Sequence, residues 1–245
     1  ILEKLSPMPR RVFSLLFLLV PLLTGFISAN SYALCAPAAI NCISSLDSLS
    51  IAALRSREYQ SSPNVIKPLG GNNGLSEYAR HYSVDGTAPF QSYMVSYLSD
   101  LRRVYARLDI PSTSMPAKGY PVILFAHGWV GQDKAQDYNF GYDVTSLAGE
   151  LINGYVDAGF IVITPGYIGH GTVDGAQAEG FDIMESWDNA TYLAPTFYAI
   201  DLLNLVEGLS FLNSTDWKKW AGNKTLSPKA NLSAINLSGH SQGGD

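Results

Sequence analysis

Gly239-His240-Ser241-Gln242-Gly243 sets a serine between two glycines directly behind the apolar-rich run Ala234-Ile235-Asn236-Leu237-Ser238. The run reads as a short buried strand, and a strand that ends in this pentapeptide turns sharply into a helix with the serine at the apex. A Cβ on either side of the apex would meet neighbouring backbone, which explains glycine at 239 and 243. Ser241 itself is expected in a strained conformation that only the surrounding fold can hold. Such a bend needs a sheet whose carboxyl edge presents it.

Other segments supply that sheet. Pro121-Val122-Ile123-Leu124-Phe125-Ala126 is an unbroken apolar run closed by His127-Gly128-Trp129, as fits a strand buried on both faces and ending in a loop. Val144, Leu147, Ala148, Leu151, Ile152, Tyr155 and Val156 then recur at helical spacing, and Gly159 stands where a left-handed cap residue belongs. A second apolar strand, Phe160-Ile161-Val162-Ile163-Thr164, runs into the glycine-rich turn Pro165-Gly166-Tyr167-Ile168-Gly169-His170-Gly171. Strand, helix and strand in this order make a parallel crossover unit. Tyr198, Leu202, Leu205, Val206, Leu209 and Leu212 form a further helical stripe, entered through Pro195, ahead of the serine turn. The expected fold is α/β, with a doubly wound, mostly parallel sheet. Tyr93, Val95 and Tyr97 alternate, as do Val104, Ala106 and Leu108, which predicts antiparallel strands at the start of that sheet.

This order of elements, together with the serine elbow and the His-Gly-Trp loop, resembles the α/β-hydrolase family from about Val104 to Asp245. Lys118-Gly119-Tyr120-Pro121 and the long helix before the elbow are similar to its secreted lipase-like and prolyl-oligopeptidase-like branches. The resemblance implies Ser241 as nucleophile and the backbone N–H groups of Trp129 and Gln242 as an oxyanion hole. His127, Gly128, Gly239, His240 and Gly243 are then structural neighbours of the site. Acyl transfer puts negative charge on the former carbonyl oxygen, and fixed backbone donors stabilise it without reorganising. Gln242 is expected to head the next helix, whose dipole adds to the same field.

A serine hydroxyl also needs a base, and the base an orienting carboxylate. In the family both follow the serine in chain order. Here only Gln242, Gly243, Gly244 and Asp245 follow, and the four histidines are His81, His127, His170 and His240. The expectation is a hydrolase core truncated after the elbow, lacking the acid and histidine and showing little or no esterase activity by itself. His170 sits at the carboxyl end of an expected strand; it reads as a loop histidine without a catalytic role more readily than as a group facing the cleft. His81 carries no signal.

Three functions fit these residues. The first is hydrolysis of carboxylic esters through an acyl-enzyme on Ser241. The alternatives are a serine peptidase of prolyl-oligopeptidase-like type, which would use the same nucleophile on a peptide, and a noncatalytic binding protein on the same scaffold. A net charge of −5 without a Lys/Arg cluster excludes a nucleic-acid partner. No phosphate-binding glycine loop and no Cys/His spacing suited to zinc is present, so no cofactor and no metal are implied.

Lys4, Arg10 and Arg11 precede an apolar run from Val12 to Ile27, and Ser31-Tyr32-Ala33 offers small residues for cleavage. Residues 1–33 therefore read as a signal peptide. The run contains Pro21 and is short against the ~20 residues a spanning helix needs, so no stable membrane span is expected after cleavage. The mature protein is expected to be secreted or periplasmic. Residues 34–75 read as an irregular N-terminal arm and residues 76–245 as the incomplete core. Cys35 and Cys42 form one local disulfide or remain two free thiols. The acidic stretch from Asp174 to Asn189 is expected to be a solvated face. Of five Asn-x-Ser/Thr matches, Asn236 falls in the elbow strand, where a glycan has no room.

Overall fold

The computed structural model describes residues 49–69, 90–128, 147–179, 194–220 and 227–244. The expected signal peptide, Cys35, Cys42, His81, Trp129 and the acidic residues past Glu179 lie outside the described residues.

The two alternating runs form the longest hairpin, β2 (Phe90–Ser99) and β3 (Arg102–Pro111), antiparallel from Phe90↔Pro111 to Ser99↔Arg102. Asp100 and Leu101 close it with φ of 48° and 66°, the left-handed pair that lets a two-residue turn follow the twist of its strands. The segment read as an irregular arm contains ordered elements. Helix α1 (Ile51–Ser56) is capped by Ser50, whose side chain accepts the Ala53 N–H, and β1 (Asn64–Pro68) pairs antiparallel with β2. Pro63 and Pro68 conceal this strand in the sequence, yet proline is tolerated at a sheet edge where a missing N–H leaves no ladder bond unmade.

The apolar runs become β4 (Tyr120–Ala126) and β5 (Ile161–Pro165), parallel to each other and joined through α2 (Leu147–Asp157). Gly159 caps α2 at φ 87°. Helices α3 (Ala194–Gly208) and α4 (Phe211–Ser214) lead to β8 (Ala230–Gly239), parallel to β4 on its other side. A small hairpin, β6 (Thr172–Val173) and β7 (Ala176–Gln177), stands apart. The sheet order is β1-β2-β3-β5-β4-β8. It is a mixed sheet, antiparallel from β1 to β5 and parallel from β5 through β4 to β8.

β4 and β5 divide their side chains between two faces, and a helix covers each face. Val122, Leu124, Ile161 and Ile163 join Leu205, Leu209, Leu212 and Trp217 from the α3 side. Ile123, Phe125 and Val162 meet Ile152 and Val156 of α2 on the other. The parallel connections from β4 to β5 through α2 and from β5 to β8 through α3 place one helix on each face. They leave the carboxyl ends of β4, β5 and β8 side by side, where open α/β sheets place their ligand sites. Among the described residues, no helix is long and apolar enough to cross a membrane.

β8 departs from expectation. It is longer than the run Ala234–Ser238, and it is not buried: Leu237 is 69% exposed, with Ile235 and Leu232 exposed as well. Its only strand partner among the described residues is β4, so its outer side lacks a covering layer there. The Asn236 side chain donates to the Val122 carbonyl at 3.3 Å, so its carboxamide is already engaged with the sheet.

Candidate active site

β4 and β8 finish together, with Ala126 opposite Gly239. The His240 N–H continues the pairing by donating to the Ala126 carbonyl at 3.0 Å, and the chain then turns through Ser241. A Cβ on Gly239 would overlap the Gly243 carbonyl, and one on Gly243 would overlap the carbonyls of Ala126 and His127. The turn is thus folded back tightly onto both strands, and any side chain at these two positions would force it away. Ser241 sits at the apex with φ 55° and is exposed. For an L-residue this left-handed conformation costs about 1–2 kcal/mol.

The loop after β4 reaches the same point. A Cβ on Gly128 would come within 2.9 Å of the Ser241 Cβ and 3.1 Å of the His240 carbonyl. His127, Gly128, Gly239, His240, Ser241, Gln242 and Gly243 therefore meet at the ends of β4 and β8, while Trp129 lies outside the described residues. The Gly243 N–H donates to the His240 carbonyl at 3.1 Å. Between these two engaged amides, the Gln242 N–H makes no hydrogen bond among the described residues. Gln242 Oε1 and His240 Nδ1 are buried there with no hydrogen-bond partner among the described residues. Residues Ser241–Gly244 form a 3-10 turn, the last element among the described residues.

His127 is fully buried beside the elbow. Its Nδ1–H donates to the Gly128 carbonyl at 2.7 Å, and its ring stacks on Tyr167 with centroids 4.3 Å apart. Burial lowers its pKa from 6.5 to about 3, nearby backbone carbonyls push it back less strongly, and His170 adds to the lowering. It is thus a neutral packing group near pH 7. His170 is also buried, its ring edge-on to Tyr198 at 5.7 Å. Among the described residues no group hydrogen-bonds the Ser241 hydroxyl, and no histidine is placed as its base.

The part that sequence reading did not single out is the aromatic floor. Tyr167, at φ 66° in the glycine-rich turn after β5, lies between His127 and Tyr198, stacking on the latter at 4.1 Å, and its hydroxyl donates to the His127 carbonyl at 3.1 Å. Its neighbours Gly166 and Gly169 announce a tight turn, but nothing local marks the tyrosine as the residue that reaches under β4.

No family model matches the sequence, and no curated protein matches it. Among solved structures, it is similar to an acetyl xylan esterase from Paenibacillus sp. R4, with 16% identity over 77% of this chain and 48% of that one and a TM-score of 0.40. Acetyl xylan esterase 1 from Thermoanaerobacterium sp. JW/SL YS485 gives 16% identity, 77% and 47% coverage, and a TM-score of 0.39. The rice cell wall degrading esterase LipA from Xanthomonas oryzae gives 13% identity, 74% and 42% coverage, and a TM-score of 0.33. The chain spans less than half the length of each of these structures. At such low similarity the chemistry rests on the geometry of the elbow.

Proposed function

We propose that this chain carries the nucleophile and oxyanion side of a serine hydrolase acting on carboxylic esters. The observation that carries the reading is Ser241 held exposed at φ 55° at the joined ends of β4 and β8, with Gly128 packed against it. Strain at an exposed serine is the kind of local cost that persists at functional sites.

In this reading the Ser241 Oγ attacks the ester carbonyl, its proton passes to a general base, and the developing oxyanion is met by the backbone N–H groups of Gln242 and Trp129. Collapse of the intermediate expels the alcohol and leaves the acyl group on Ser241; water then releases the acid. The Gln242 amide, which makes no hydrogen bond among the described residues, supports its part of this scheme. The described residues supply no base for Ser241, so the histidine and its carboxylate are assigned outside them. The basic and apolar residues of segment 1–33 support export of the protein.

Parallel assays of the full-length protein with nitrophenyl acetate and with a dipeptidyl nitroanilide test the reading. Ester cleavage that Ser241→Ala lowers by ~10³-fold or more is the expected result. Preferential amide cleavage would make it a peptidase, and the absence of both activities would leave a binding protein on this scaffold.

A further inference from the structure

Asp201 lies on α3, and only 1% of it is exposed. One carboxylate oxygen accepts the Ile168 N–H at 2.7 Å and the other accepts the Ser99 hydroxyl. Asn204, one turn further along α3, donates to the same Ser99 oxygen at 3.1 Å and to Asp100 at 3.2 Å. A buried acid is thus tied to the hairpin of β2 and β3 on one side and to the turn after β5 on the other.

That turn needs holding. Tyr167 is a non-glycine residue in the left-handed region, and such conformations persist only where the surroundings over-determine them. The Gly166 N–H donates to Tyr105 O at 2.7 Å and the Gly169 N–H to Glu179 O at 2.9 Å. The bond from Ile168 to Asp201 lies between them, immediately next to Tyr167. The Tyr167 hydroxyl in turn grips the carbonyl of His127, the same oxygen that stands 2.5 Å from where a Gly243 Cβ would be. Contacts therefore run without a gap from Asp201 through Ile168 and Tyr167 to His127, and from His127 to Gly128 and Gly243 around Ser241.

Resting on the reading of Ser241 as a nucleophile, we propose that Asp201 is a positioning residue for that site: by holding the Ile168 amide it fixes the turn from which Tyr167 braces the His127 carbonyl, and so sets Gly128 against Ser241. A carboxyl group suits the task because its two oxygens reach two partners on different elements at once. Burying an ionisable group is unfavourable for packing alone. Burial does raise the pKa of Asp201, to about 7, although the bonds from Ser99 and Ile168 pull it the other way.

The test uses the full-length protein with Asp201→Ala, Asp201→Asn, Tyr167→Phe and the double variant Asp201→Ala/Tyr167→Phe. Leu205→Ala, which empties a core position on the same helix, reports the effect of general destabilisation. Two readouts are taken: amide hydrogen exchange at Ile168 and Gly128, and the kinetics of Ser241 phosphonylation by a fluorophosphonate, split into KI and the maximal rate. Asp201→Ala is expected to speed exchange at both amides and to lower the maximal rate by ~10-fold or more, with KI unchanged, because small misplacements near a reacting centre have large kinetic effects. Asp201→Asn, whose carboxamide oxygen still accepts the Ile168 N–H, is expected to restore the rate to within ~3-fold. Tyr167→Phe is expected to add little in the double variant, as for two residues acting through one path. The proposal is overturned if exchange rises at Ile168 alone, if Leu205→Ala reproduces the rate loss, or if the two variants combine additively. A wild type that takes no label removes the nucleophile reading, and the exchange pattern then upholds or overturns the bracing by itself.

Discussion

His127 and Asp201 are both fully buried, and their protonation is displaced in opposite directions: His127 down to about 3, chiefly by burial, and Asp201 up to about 7, also chiefly by burial. Between pH 6.5 and 3 the unfolded chain takes up a proton on His127 that the folded protein refuses. Its contribution to stability is therefore complete above pH 6.5 and lost as the pH falls. Asp201 behaves the other way. The folded protein keeps a proton that the unfolded chain releases near its ordinary value of 3.8, so that contribution is present below 3.8 and lost as the pH rises to about 7. Asp100 reinforces the rise and Arg102 opposes it, while the pKa of Tyr97 is in turn raised by burial and, less, by Asp201. Asp201→Asn removes only the second slope. Unfolding free energies of wild type and variant, measured from pH 4 to 7, are expected to diverge in the variant's favour as pH rises, by a few kcal/mol across the window. Parallel profiles would show that Asp201 does not titrate on unfolding.

The same residues mark the limit of what sequence reveals at this scale. Gly239, Gly243 and Ser241 are legible because a five-residue pattern encodes a close backbone approach. Tyr167 and Asp201 are not, since their partners lie 40 and 33 positions away in the chain and no local periodicity links them.

At the level of elements, glycine has two separate meanings here. Gly243 faces strand carbonyls with no room for a methyl group, whereas Gly154, within α2, has nothing within 4 Å of where its Cβ would be. Gly243→Ala is expected to destabilise the protein by ~2 kcal/mol or more, because backbone must move to relieve the overlap. Gly154→Ala is expected to stabilise it by about 1 kcal/mol through better helix propensity. Urea denaturation of both variants checks the contrast; a loss of stability in Gly154→Ala would show that α2 needs its glycine. Strands β4 and β5 are readable as unbroken apolar runs because both of their faces are covered. β1 is obscured by its flanking prolines. The extent and exposure of β8 depend on which elements cover its outer side, which its own residues do not specify.

For the whole molecule, alternation of strand and helix was enough to foresee helices on both faces of one sheet, whereas the strand order and the antiparallel half follow from long-range pairing. That order leaves β8 with only β4 as a strand partner among the described residues, and it exposes Leu237, Ile235 and Leu232 along its length. Apolar side chains on an unpaired edge favour association between copies. The 245-residue chain is expected to show concentration-dependent self-association in sedimentation experiments. Leu237→Lys, changing a residue that is 69% exposed, is expected to weaken it with a stability change within ~0.5 kcal/mol. Equal association in the variant would place the contact elsewhere. The central claim, a nucleophile at the elbow, is tested most directly by treating the full-length protein with a fluorophosphonate and mapping the adduct by peptide mass spectrometry. The account predicts one modification, on Ser241, that disappears in Ser241→Ala; no adduct, or an adduct on another residue that survives the substitution, would contradict it.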